Sequence, residues 1–209
     1  MEIRAEALGK RFNRDWIFRE LNYTFESGRI YAIVGPNGSG KSTLIKVLSG
    51  QMPFNVGQIS YHSKGLEVNS DAVYKQISMA APYLELIEEF TLEEMWKFHF
   101  GFKGLMPGIN LQKAVEITGL QKGLGKQIKN FSSGMKQRLK LGLAFFSETS
   151  LLLLDEPTSN LDKEGNAMFS HLVDNFKGER TIIIGSNVPF EIDIANHSLN
   201  ISQFQHANS

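Results

Sequence analysis

Apolar positions along this chain switch between two periods. Alternation, or a short unbroken apolar run, marks a strand; spacings of three and four mark a helix. From Glu2 to Val34 the pattern is strand-like: EIRAEAL and IFRELNYTF alternate with polar interruptions, Ser27-Gly28 is a turn, and IYAIV (30–34) is a buried run. STLIKVLSG (42–50) has apolar residues at helical spacing before Gly50. GQISYH (57–62) and KQISMAA (75–81) read as short strands, the second stopped by Pro82. From Thr91 the period becomes helical. TLEEMWKFHFGF opens on a T-x-x-E capping box, LQKAVEITGL (111–120) ends near Gly119, and SSGMKQRLKLGLAFFSE (132–148) starts from Ser132 or Ser133 as cap. LLLLDEP (151–157) returns to a buried strand, GNAMFSHLVDNFKG (165–178) is helical, and TIIIGS (181–186) is a strand. The tail from Gln203 is polar and is expected to fray. This order predicts an α/β fold: a mixed sheet with helices on both sides, an N-terminal antiparallel β-subdomain, and a helical insertion subdomain over 84–150, all within a single domain 1–209.

Between the run 30–34 and its helix stands GPNGSGKST (35–43), which fits G-x-x-x-x-G-K-[ST], the phosphate-cradling P-loop. Gly35, Gly38 and Gly40 let the backbone turn its N–H groups inward, with Pro36, Asn37 and Ser39 between them and Thr43 behind. Those groups and the helix start form an anion nest. Lys41 adds a charge for the β- and γ-phosphates, and Ser42 offers a hydroxyl to Mg²⁺. The motif narrows the fold to a P-loop NTPase core. Asp155 ends the apolar run 151–154, at the sheet edge where ligands of open α/β sheets sit, and can hold Mg²⁺ through water. Glu156 follows and could polarise an attacking water.

Bulk properties change the picture little. A chain of 209 residues supports its own core without disulfides, and there is no cysteine to form one, which is compatible with the cytosol. Formal net charge is zero, so no general nucleic-acid footprint is present and no nucleic-acid partner is expected. No apolar stretch reaches the length of a membrane span, and MEIRAEALGKRF lacks the apolar core of a signal peptide.

FSSGMKQRLKL lies between the two phosphate motifs, and there the chain resembles the nucleotide-binding subunit of an ABC transporter over nearly its whole length. Phe131 to Met135 stand where that family has the signature LSGGQ; Ser132 and Gly134 match, while Ser133 replaces a glycine and Met135 the glutamine. The SxGMKQR variant is familiar in ABC-2-type exporter ATPases. Ser132, Ser133 and Gly134 at a helix start form a second phosphate cradle by the same dipole logic. SNLD (159–162) matches the D-loop and adds Asp162 to the nucleotide-contacting set. Phe12, 29 residues before Lys41, matches the aromatic that stacks on adenine, with Trp16 a weaker candidate.

The resemblance implies an ATPase using ATP and Mg²⁺ as a head-to-tail dimer, with each ATP between one subunit's P-loop and the other's signature. The partners it implies are a second ABC ATPase subunit, a copy of this chain in a homodimer, and a transmembrane permease subunit. The latter would hold the chain peripherally on the cytoplasmic face of a membrane, and the helical insertion is the expected docking surface. Two departures stand out. The family's Gln at the start of the insertion is absent: Pro82 or Tyr83 falls there, Gln76 lies too early on a strand, and Glu85 is a candidate substitute. Asn187 occupies the place of the His that contacts the γ-phosphate, and an amide cannot carry that charge, so slow hydrolysis is expected. His62, His99, His171, His197 and His206 fall elsewhere and are expected to be packed or at the surface. A soluble ABC ATPase serving as an assembly scaffold is the competing class. A P-loop GTPase is disfavoured because no N-K-x-D base-reading motif occurs.

Overall fold

The computed structural model describes residues 1–205. The chain divides into two compact units, one comprising Met1–Ile77, Ser150–Asp155 and Glu179 onward, the other Ser78–Thr149 and Glu156–Gly178.

The first unit contains two sheets. In the antiparallel one, β1 (Glu2–Phe12) and β2 (Asp15–Phe25) form a hairpin closed by Asn13-Arg14, with Asn13 at φ 54. Asn tolerates the left-handed conformation that a two-residue hairpin loop needs. The later strands β4 (Val56–Ser63) and β5 (Leu66–Val68) complete the order β2-β1-β4-β5. Ile3 pairs with Phe25 on one side and Tyr61 on the other, and this cross-strand row is buried.

The second sheet is parallel and carries the phosphate motifs. β3 (Ile30–Val34) lies between β8 (Thr181–Gly185) and β9 (His197–Asn200), and β7 (Leu151–Asp155) pairs with β8. Leu151 to Leu154 and Ile182 to Ile184 have no exposed surface. That is why these strands read as unbroken apolar runs rather than alternating ones. The first helix, α1 (Lys41–Leu48), leaves β3 through the P-loop and lies against β7 and β8, burying Leu44, Ile45, Val47 and Leu48. A short helix, α6 (Pro189–Ile192), follows β8.

The second unit is mainly helical. The strand β6 (Ile77–Ala80) falls at the division of the units, and α2 (Leu92–Phe102), α3 (Leu111–Thr118), α4 (Ser133–Phe146) and α5 (Lys163–Phe176) follow. Thr91 closes a capping box with Glu94 at the start of α2. Gly119 ends α3 at φ 68, and Ser132, not Ser133, caps α4. Trp96, Val115, Leu139, Leu143 and Phe146 share one apolar seam. Ring contacts extend it, Trp96 to Phe146 at 6.3 Å and Phe146 to Phe176 at 5.2 Å. Among the described residues no helix is long and apolar enough to cross a membrane.

Three expectations are corrected. Lys75 and Gln76 do not belong to a strand; they end a 3-10 turn over Ser70–Gln76, where the Gln76 amide oxygen accepts from Ser150 at 2.7 Å. The α5 helix begins two residues before the expected 165, because Asp162 caps it. The tail does not fray from Gln203: Ile201–Phe204 form a 3-10 turn and Gln205 donates to the Ser39 carbonyl within the same unit. His206 lies outside the described residues.

Candidate functional site: two phosphate cradles

The first cradle is the P-loop. Gly40 is the N-cap of α1 at φ 99, and a side chain there would place its Cβ 2.4 Å from Ile17, so glycine is required on two counts. No side chain caps α1 and no acid lies in its first turn. The N–H groups of that turn are therefore left for an external anion. Lys41 is nearly buried, its ammonium donating to the Gly35 and Pro36 carbonyls at 2.8 and 3.1 Å. Pro36, Asn37 and Gly38 are exposed, Ser42 and Thr43 half-buried, and Ser39 buried. Ser39 Oγ is buried with no hydrogen-bond partner among the described residues.

Asp155 ends β7 with 1 % exposure, opposite Gly185 on β8. A Cβ on Gly185 would come 3.0 Å from the Asp155 carboxylate and 2.6 Å from Ile45. Glycine at 185 thus keeps the acidic strand end close to α1 and Lys41. No cluster of three or more His, Cys, Asp or Glu able to hold a metal exists among the described residues. An uncapped helix start, a near-buried ammonium and a serine hydroxyl without a partner among the described residues fit a triphosphate, and Ser42 and Asp155 carry the oxygens that would hold Mg²⁺ beside it.

Asn187, in the loop after β8, donates through Nδ2 to Asn37 Oδ1 at 2.8 Å, so the residue at the histidine position touches the P-loop itself. Phe12 at the end of β1 is 45 % exposed, with the Lys10 ammonium 5.0 Å from its ring centre. Trp16 has the Arg11 and Arg19 guanidinium groups 5.5 and 5.2 Å from its ring. Phe12 is therefore an exposed aromatic rather than a core one, while Trp16 already stacks with two arginines.

The second cradle lies in the helical unit. Ser132 Oγ accepts from Met135 N at 3.2 Å and starts α4. With Ser133, Gly134, Lys122, Arg138 and Asp162 it lines an open hollow of about 630 Å³. Three contacts tie α4 to the segment after Glu156. Gln137 donates to the Pro157 carbonyl at 2.7 Å, Arg138 to the Asp162 carboxylate at 2.8 Å, and a Cβ on Gly134 would come 3.1 Å from the Asn160 carbonyl. Gln137 and Arg138 thereby join the candidate site. Their only signal was their place in the KQR run. Asp162 was expected to contact nucleotide. Its Oδ1 accepts the Gly165 N–H at 2.8 Å and pairs with Arg138. The Gly165 N–H first, and Arg138 after it, hold this carboxyl below its usual range. A carboxylate so engaged shapes the rim of the hollow and offers no donor to a phosphate.

Glu156 sits at φ 45, a left-handed conformation uncommon for a residue with a side chain. Such strain gathers at functional positions, here directly after Asp155. At the insertion start, the Ala81 and Pro82 carbonyls accept from the Lys140 ammonium at 3.2 Å each. Tyr83 is half-buried and Glu85 exposed. His99 is packed against Ser147, His197 stacks on Tyr31 at 5.2 Å, and His171 meets Asn175.

A core with a P-loop, a buried strand-end aspartate and a second helix-start cradle defines a nucleotide-binding cassette. The sequence model of the family described as ABC transporter matches residues 18–159. The ABC transporter ATP-binding protein YybJ of Bacillus subtilis is 32 % identical, covering 86 % of this chain and 83 % of its own. The lantibiotic transport ATP-binding protein SrtF of Streptococcus pyogenes is 31 % identical, over 91 % of this chain and 82 % of its own. The retinal-specific phospholipid-transporting ATPase ABCA4 of Mus musculus is 29 % identical over 83 % of this chain, which spans only 8 % of that protein. A dimeric bacterial ABC transporter cassette, MJ0796, shares the fold at TM-score 0.80 and 17 % identity, over 95 % of this chain and 94 % of its own. The chain belongs to the ABC transporter family, as an ATP-binding subunit and an ATPase by class.

Proposed function

We propose that this subunit binds Mg-ATP and hydrolyses it in a head-to-tail dimer of two copies, driving export through a separate membrane permease. The observation that carries the reading is that each chain holds two half-sites of different kind. The P-loop has charge and an uncapped helix start, and the signature hollow has a second helix start with Ser132, Ser133 and Gly134 exposed or half-exposed. A phosphate chain bound by one alone keeps a face to water; two copies facing each other enclose it.

In this arrangement Lys41 and the first-turn N–H groups hold the β- and γ-phosphates, and Phe12 stacks on the adenine. Ser42 and Asp155 would hold Mg²⁺, which would neutralise charge on the phosphates. Glu156 orients the attacking water and accepts its proton, and Asn187 steadies the γ-phosphate side of the P-loop through Asn37. The dimeric MJ0796 cassette supports the pairing at the level of fold. The lantibiotic transport relative supports a transport role, and the linearmycin resistance ATP-binding protein LnrL of Bacillus subtilis suits an outward direction, since removing a toxic compound from the cell is one way to resist it. The chain would then sit on the cytoplasmic face of a membrane, held there by its permease.

Lys41→Ala tests the reading by isothermal titration with Mg-ATP. One charge-assisted contact to phosphate contributes about 1.5–3 kcal/mol, so the dissociation constant should rise roughly 10- to 150-fold. Wild-type affinity in the variant refutes the P-loop assignment.

A further inference from the structure

The end of the described chain reaches the P-loop, and nothing in the nucleotide chemistry above uses it. β9 runs parallel to β3 with Asn200 paired to Val34, so the chain leaves the sheet at Ile201 on the level where the P-loop begins at Gly35. Asn200 caps the turn that follows by accepting from Ser202 N at 3.0 Å. Ile201 is fully buried beneath the loop. Its side chain would lie 3.1 Å from a Cβ on Gly35 and 3.7 Å from one on Gly40, so it underlies both ends of the cradle. Gln205 then donates through Nε2 to the carbonyl of Ser39 at 3.0 Å.

That carbonyl belongs to the same planar unit as the N–H of Gly40. In a trans peptide the two point in opposite directions. A donor holding the Ser39 oxygen therefore dictates where the Gly40 N–H points. The unit needs such a hold, because Gly40 accepts φ of either sign and offers little resistance to a flip. Ser39 has no side-chain bond of its own to provide one, its hydroxyl being without a partner among the described residues. Only a donor can act on a carbonyl, and the Gln205 amide nitrogen is one.

We propose that Gln205 is a positioning residue of the nucleotide site. From outside the loop it locks the Ser39–Gly40 peptide with the Gly40 N–H turned into the phosphate cradle, and residues 201–205 form the strap that carries it. This inference rests on the P-loop reading above. In the nucleotide-free protein the lock keeps the cradle formed before ATP arrives, so binding energy is not spent on turning the peptide.

The experiment compares Gln205→Met, which has similar length and no donor, with Gln205→Lys, which restores one. Three measurements are made on the full chain: Mg-ATP titration, amide hydrogen exchange of residues 36–42 without nucleotide, and thermal melting without nucleotide. The expected result for Met is a dissociation constant about three- to tenfold higher, the range for one lost neutral hydrogen bond. Exchange across 36–42 should be faster and melting unchanged, with Lys returning affinity and exchange to wild-type values. Unchanged affinity and exchange in the Met variant overturn the proposal. So does a loss that Lys fails to restore, or one that tracks a fall in melting temperature. If wild type itself fails to bind Mg-ATP, the P-loop reading has failed, and the exchange measurement still decides the role of Gln205.

Discussion

Replacing His99 by Gln should flatten the stability of this protein between neutral and mildly acid pH. His99 lies on α2, and its Nε2 is 2.9 Å from Ser147 Oγ. Ser147 donates its own proton to the Leu143 carbonyl at 2.7 Å, which leaves its oxygen to accept from the imidazole Nε2–H. Burial first, and the Lys103 ammonium after it, push its pKa down from 6.5 to about 4. Folding thus favours the neutral ring. The resulting stability is fully present above pH 6.5, falls as the unfolded chain takes up a proton the folded one refuses, and is wholly lost below about pH 4. A separation of about 2.5 pH units, at about 1.4 kcal/mol each, sets the full swing near 3 kcal/mol, of which about 2 kcal/mol is spent by pH 5. Urea unfolding of wild type and His99→Gln at pH 7.5 and pH 5 reads this directly. The wild type should lose about 2 kcal/mol more than the variant over that interval. Equal losses in the two proteins would refute the buried neutral imidazole.

Two further outcomes bear on catalysis. Glu156→Gln keeps the shape of the strained turn and removes the carboxylate, so with Mg-ATP it should accumulate as a dimer in sedimentation; a monomer at saturating nucleotide, with or without the membrane partner, sinks the sandwich arrangement. Asn187→His should raise turnover at saturating ATP, up to the hundred- to thousandfold that one transition-state contact of about 2.7–4 kcal/mol allows. No gain, with wild type already turning over at tens per second, would show that Asn187 is no handicap.

Local chemistry was legible in the sequence wherever a residue acts on its own neighbours. GPNGSGKST specifies a loop and a helix start because glycine conformations and an uncapped first turn are properties of consecutive residues. The apolar runs 151–154 and 182–184 declared buried parallel strands because no polar face interrupts them. The caps Thr91 and Gly119 were read correctly for the same reason. Partners distant in sequence were decided only by the path of the folded chain. Asn187 meets Asn37 across 150 residues, and Gln205 meets Ser39 across 166. Arg138 pairs with the Asp162 carboxylate across 24 residues. A tail read as frayed carries the turn beneath the P-loop because β9 aligns with β3 and delivers it there. Periodicity states which side of a segment is buried. Amide and guanidinium groups hydrogen-bond equally well to many partners, so only tertiary proximity selects the one each meets.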